Sequence, residues 1–208
     1  DMKHFLHQNR DVFEKSLHNQ APHRILNMRL FIKWAYGIAK GMDYLSSKKI
    51  MHGDLAARNI LISTSDHENY LAKITDFGLS KAFYDKTSYE KEDRRNVPWK
   101  WMAVDFLETS IFTMSSDVWS FGVVFWEILS IGRTPYAGGN AKDTIREIKA
   151  GLRLLVPDEI SQSEWLVKCY SEVSQMCWNS NPNQRSSFSE LVQTFETYLT
   201  TEEKENLQ

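Results

Sequence analysis

Apolar residues recur at three- and four-residue steps through Leu30, Phe31, Trp34, Ile38, Met42 and Leu45. That spacing makes one apolar stripe and predicts a long amphipathic helix, ended by Ser46-Ser47-Lys48-Lys49. Asp117 to Ser130 differs, with bulky apolar residues on nearly every face. A helix hydrophobic all round is buried, so this one is expected to be the core. Amphipathic helices are also predicted at Ala141–Ala150, Glu164–Trp178 and Phe188–Leu199. The opening residues Asp1 to Leu6 read as a helix already under way, so the chain is expected to start inside a larger domain. Short strand-like runs occupy Ile50-Met51, Asn59 to Ile62 and Leu71 to Ile74. Gly132, Pro135, Gly138 and Gly139 break the chain. Arg10 to His23 is polar with one proline and predicts a loop, while charged, aperiodic Lys81 to Asn96 predicts a mobile one. Thr201 to Gln208 reads as a frayed polar tail. The expected fold is mainly α with a small β element, without internal repeats.

Composition narrows the class. A chain of 208 residues suffices for one sizeable domain or one large lobe of a bigger one. Its formal net charge of -2 gives no reason to expect nucleic-acid binding. Cys169 and Cys177 lie in apolar, helix-like sequence, which predicts buried thiols in a reducing setting over a disulfide or metal site. The longest apolar run, Val118 to Ile131, is too short to span a bilayer and contains Glu127. The segment itself is expected to be soluble, without membrane contact.

Two motifs carry candidate chemistry. His52-Gly53-Asp54-Leu55-Ala56-Ala57-Arg58-Asn59 precedes Asp76-Phe77-Gly78 at short range. An Asp-Phe-Gly tripeptide alone is a weak signal; after His-x-Asp-Leu-x-x-x-Asn it is a strong one. Together they offer a carboxylate for an acceptor hydroxyl (Asp54), and an amide and a second carboxylate for magnesium (Asn59, Asp76). Oxygen ligands suit that hard cation. Leu55 is expected to anchor the loop in the core and His52 to brace it from behind.

These residues resemble the protein kinases over essentially the whole chain. The resemblance implies ATP and Mg2+ as cofactors and the C-terminal lobe of the protein-kinase-like α+β fold. That lobe would cover residues 1–200, with a catalytic loop at 52–59, an activation segment at 76–105 and a polar tail at 201–208. The form Asp54-Leu-Ala-Ala-Arg-Asn59 looks like tyrosine kinases, especially receptors. Serine/threonine kinases usually carry lysine two residues after the catalytic aspartate, where this chain has Ala56. Arg58 matches the arginine tyrosine kinases use near the substrate hydroxyl and γ-phosphate. Val97-Pro98-Trp99-Lys100-Trp101-Met102-Ala103 is similar to the segment on which a substrate tyrosine rests, making Pro98 and Trp99 the expected platform. Asp117 resembles the aspartate that holds the catalytic-loop backbone. Arg185 resembles the arginine that pairs with an acid closing the activation segment, here Asp105. Residues Gln184 to Leu191 lean toward the platelet-derived, vascular endothelial or fibroblast growth factor receptors. The short Arg10–His23 stretch argues against the long insert of the first two.

The chain departs from the family pattern three times. Gly53 stands where most kinases have an arginine that pairs with an activation-loop phosphate. Ala103-Val104-Asp105 replaces Ala-Pro-Glu, and the shorter acid is expected to meet Arg185 differently or more weakly. No Gly-rich loop, phosphate-binding strand lysine or partner glutamate occurs in the sequence. Chain order would place all three before residue 1, so a fragment, inactive alone, of a larger receptor is expected. That receptor would sit in the plasma membrane with this region cytoplasmic. Its implied partners are protein substrates with tyrosine, SH2-type phosphotyrosine readers and a receptor dimer partner, with no nucleic acid.

Blander readings compete. An isolated Asp54 or Asn59 would be a turn residue, and His52 a core histidine, which is also its family role. Tyr84 and Tyr89 resemble autophosphorylation sites, against the alternative of ordinary exposed tyrosines. Arg94-Arg95 reads as a solvated charge pair over a phosphate clamp. The rival functions are a pseudokinase scaffold, supported by Gly53 and Val104-Asp105, and a serine/threonine kinase, disfavoured by Ala56 and Pro98-Trp99.

Overall fold

A computed structural model of the chain describes residues 1–17, 28–63, 70–76, 81–82, 88–90 and 98–205. Its described elements are mostly helical, as the periodicities predict. Helix α1 (Met2–Gln8) is capped by Asp1, whose carboxylate accepts from the His4 amide at 2.9 Å. The stripe from Leu30 to Met42 is the buried face of α3 (Met28–Ser47). The core is organised around α5 (Met114–Leu129), in which every residue from Ser116 to Leu129 is buried. It starts three residues before the predicted Asp117, because the Thr113 amide donates to Ser116 Oγ at 3.0 Å and closes its first turn. Against it lies α7 (Glu164–Cys177), capped by Ser163; α8 (Phe188–Glu205) runs along α3, and α6 (Ala141–Lys149) follows α5 in the chain. Edge-to-face rings join α5 to α8: Phe121 meets Phe188 at 5.8 Å and Phe125 meets Phe195 at 5.4 Å.

Among the described residues the β element is three separate antiparallel pairs. Strand β1 (Ile50–Met51) pairs with β4 (Lys81–Ala82), β2 (Ile60–Ser63) with β3 (Leu71–Ile74), and β5 (Ser88–Glu90) with β6 (Ile111–Thr113).

Several expectations need correction. Arg10 to His23 is not simply a loop, since Arg10–Leu17 forms helix α2. Phe13 anchors it, fully buried against Phe31 at 5.0 Å and Trp34 at 6.0 Å. Its Arg10 bonds Glu14 at 2.9 Å, and Nη2 donates to the carbonyls of Ser130 at 3.1 Å and Ile131 at 2.9 Å, at the foot of α5. The stretch Lys81 to Asn96 contains β4 and β5, whose partners lie far away in sequence, so no local period betrays them. The tail is helical through Glu205. No Gly or Pro interrupts Phe188–Glu205, and Tyr198 is held by donating its hydroxyl to Glu172 at 2.8 Å. Helix α4 (Val104–Thr109) was unmarked by any stripe; it ends in left-handed Ser110. Phe77, Gly78, Tyr84, Arg94, Arg95 and Val97 lie outside the described residues, as do 18–23 of the predicted loop and 206–208 of the tail.

Candidate active site

The loop after β1 hangs from the central helix. Asp117, in the first turn of α5, accepts from the backbone N–H of His52 at 2.8 Å and of Gly53 at 3.0 Å. Complete burial pushes its carboxyl up to about 7, with the two amides pulling the other way. Gly53 itself has φ +78°, a left-handed conformation that costs glycine nothing. His52 is fully buried. Its Nε2–H donates to the Thr75 carbonyl at 3.0 Å, and Nδ1 accepts from the Asp54 amide at 3.2 Å, which defines the tautomer. Burial lowers its pKa; the Thr75 carbonyl and the charges of Asp54 and Asp76 oppose that shift. The imidazole so held is neutral and joins Thr75 to Asp54.

The candidate chemistry sits just beyond. A 3-10 turn at Ala57–Asn59 brings Arg58 and Asn59 back over Asp54. Arg58 Nη2 pairs with one Asp54 carboxylate oxygen. Asn59 Nδ2 donates to the other at 2.9 Å and to the Asp54 carbonyl at 2.7 Å. Both oxygens are therefore oriented while the side chain keeps 19% exposure, enough for an acceptor to reach it. The β2–β3 pairing, with Ile60 opposite Ile74, draws Asp76 in. The Thr75 amide donates to the Asn59 carbonyl at 2.9 Å, so Asp76 follows directly beside the loop. Asp76 is exposed, with φ +60°, a left-handed conformation uncommon outside glycine. The backbone bond from Thr75 to Asn59 sets Asp76 one residue beyond the contact with the catalytic loop.

This donor set suits magnesium. Both Asn59 side-chain bonds leave from Nδ2, so Oδ1 is the atom that can meet a cation, alongside the Asp76 carboxylate. Among the described residues no group of three or more His, Cys, Asp or Glu side chains gathers as a metal site. One amide and one carboxylate fit a cation that takes its remaining ligands from phosphate and water.

The predicted platform borders this loop. Pro98 precedes a 3-10 turn at Trp99–Trp101. Trp99 stacks on Tyr136 at 6.4 Å, and Lys100 Nζ donates to the Tyr136 carbonyl at 3.3 Å. Trp101 turns inward: its Nε1–H donates to Glu127 Oε2 at 2.8 Å, and the Arg58 guanidinium lies 4.6 Å over its ring. Ser120 Oγ donates to the Trp101 carbonyl at 2.8 Å. Sequence reasoning missed Trp101, Ser120 and Glu127 as site neighbours. One signal was visible, a glutamate inside an otherwise apolar helix.

Asp105 and Arg185 do meet, through one carboxylate oxygen and Nη2. Arg185 is further held by the carbonyls of Ser115 at 3.0 Å and Asn179 at 2.8 Å, and the shorter acid still reaches it. Tyr89 lies in β5, opposite Phe112. Cys169 and Cys177 are buried free thiols whose pKa values burial raises, so they are inert at neutral pH. No helix among the described residues is long and apolar enough to cross a membrane.

Residues 1–195 match the family model described as protein tyrosine and serine/threonine kinase. The chain is 41% identical over 167 residues to the tyrosine kinase receptor Cad96Ca of Drosophila melanogaster, covering 80% of this chain and 20% of that protein. It is 40% identical to vascular endothelial growth factor receptor 1 of Gallus gallus, covering 80% of this chain and 12% of that one. Against fibroblast growth factor receptor 1 of Xenopus laevis it is 38% identical, covering 86% and 21%. The chain thus spans a fifth or less of the length of the first two relatives and about a fifth of the third. With a buried aspartate suspending the first motif, Asp76 following beside it and a family match over nearly its whole length, the chain belongs to the protein tyrosine and serine/threonine kinase family.

Proposed function

We propose that these residues form the catalytic-loop and substrate half of a receptor tyrosine kinase, which moves the γ-phosphoryl group of ATP to tyrosine hydroxyls. The observation that carries the proposal is Asp54: a partly open carboxylate whose two oxygens are fixed by Arg58 and Asn59. Fixed there, it can accept the proton of an acceptor hydroxyl, as a general base must. Asn59 and Asp76 would hold Mg2+, which supplies charge compensation on the ATP phosphates. Arg58 sits where it can meet charge at the acceptor end. His52 and Asp117 maintain the loop, and Asp105 with Arg185 fixes the far end of the activation segment, 76–105. In this reading residues 1–200 constitute the C-terminal lobe.

Tyrosine as acceptor is supported by Ala56, Arg58 and the Pro98-Trp99 platform. A phenol is longer than a serine hydroxymethyl, so the platform must hold substrate backbone farther from Asp54. The receptor names of the relatives support a cytoplasmic domain of a plasma-membrane receptor, a dimer partner, tyrosine-bearing protein substrates and SH2-type readers of its phosphotyrosines. Tyr84 and Tyr89 are the proposed phosphosites. The scaffold alternative draws on Gly53 and Val104-Asp105. Against it stand the retained Asp54, Asn59 and Asp76 and the Asp105–Arg185 contact.

The test is phosphoamino-acid analysis of a peptide substrate incubated with the full-length protein and Mg-ATP. Phosphotyrosine is expected, and Asp54→Asn should lower turnover by about 100- to 10,000-fold. Retained turnover in the variant would remove Asp54 from its role. Phosphoserine alone would replace the acceptor, and an inert wild type would favour the scaffold.

A further inference from the structure

We infer that Glu127 and Trp101 form a positioning device that sets Arg58 against Asp54 and locks the catalytic loop to the substrate platform. This rests on the reading of Asp54 and Arg58 given above. One oxygen does both jobs. Glu127 Oε2 accepts from the Ala57 amide at 3.0 Å, in the turn that carries Arg58, and from Trp101 Nε1 at 2.8 Å, in the turn that carries the platform. The indole so fixed offers its face to the Arg58 guanidinium, 4.6 Å away. Arg58 then reaches Asp54. The path Glu127–Trp101–Arg58–Asp54 is continuous, and Ser120 secures the Trp101 backbone from α5.

The arrangement is costly, which argues against a packing role. Glu127 has no solvent exposure, yet its second oxygen, Oε1, has no hydrogen-bond partner among the described residues. A buried carboxylate satisfied on one side alone is expensive, and an apolar residue would fill the same place in α5 more cheaply. Burial raises the Glu127 pKa, while the Ala57 amide, the indole N–H, Lys3 and Arg58 pull it back. Those four groups belong to the catalytic loop, the platform and α1. Burying a carboxyl group here secures two donors, one amide and one indole, with one atom, and thereby ties two loops of separate sequence origin to one helix.

The test separates positioning from stability. In the full-length protein, Trp101→Phe keeps a ring under Arg58 but removes the N–H. We expect kcat for a tyrosine peptide to fall about 10-fold, with KM for ATP changed less than about 2-fold. Glu127→Ala should lose as much or more, and Glu127→Gln, whose amide oxygen can accept both bonds, should recover most of the loss. The double variant Trp101→Phe/Glu127→Ala should be no worse than Glu127→Ala alone, since both act through one contact. Additive losses, or wild-type kcat in Trp101→Phe, overturn the inference. Hydrogen exchange over residues 52–60 gives a readout independent of turnover. Faster exchange at the Ala57 amide in Glu127→Ala, restored in Glu127→Gln, supports the anchor even if the wild type transfers no phosphate, and unchanged exchange refutes it. In that way failure of the kinase reading and failure of the positioning device give different results.

Discussion

Asp117 holds two amides of the loop with a carboxyl that burial moves from 3.8 to about 7. Folding therefore takes up a proton between those values. The stability owed to the neutral form is complete below about 3.8 and is lost as pH rises toward 7. Asp117→Asn stays neutral and lacks that slope. Wild type should lose ground against the variant across this window, by up to a few kcal/mol, and then run parallel above it. Urea unfolding of both proteins at stepped pH reads the difference; parallel curves from pH 4 to 7 would show that the residue ionises freely in the fold. At this scale the sequence is most legible where spacing is rigid. Asp54 and Asn59 stand five apart in one loop, and the separation suffices to fold the amide back on the carboxylate. Glu127 was legible only as an oddity, because its partners Ala57 and Trp101 lie 70 and 26 residues away.

Among the elements, α5 shows how closely the core is fitted. A Cβ built on Gly122 would lie 2.7 Å from Cys177 Cβ and 2.6 Å from Trp178 Nε1, at the end of α7. The same indole N–H donates to the Trp119 carbonyl at 3.2 Å. Gly122→Ala should therefore destabilise by about 1–3 kcal/mol although alanine is the better helix former. Thermal unfolding checks the sign: a raised melting temperature would mean that α7 yields freely. Helices α3, α5, α6, α7 and α8 were legible from their periodicities because their burial is continuous along one face or all round. Helix α2 was not, since Phe13 alone carries its buried contact. Strands β4 and β5 escaped for a different reason. Their stability comes from pairing with Ile50–Met51 and Ile111–Thr113, information absent from their own residues.

Across the whole molecule, Arg185 joins segments far apart in the chain. Its side chain is wholly buried and bridges Asp105, Ser115 and Asn179. Removing its acid strands a guanidinium without its counter-charge, so Asp105→Ala should cost about 3–5 kcal/mol. Denaturant titration is the measurement, and a loss below about 1 kcal/mol would mark the pair as incidental. The mainly helical architecture and the family were legible because two motifs and one buried helix declare them together. The closure of distant ends was not, except where Asp105 and Arg185 could be matched by resemblance. Arg10 closes the opposite end: two carbonyls beneath α5 accept hydrogen bonds from a residue near the front of the chain. Anyone trimming this polypeptide to begin at α3 would uncork the base, leaving Ser130 and Ile131 to seek water and Phe31 without Phe13 beside it.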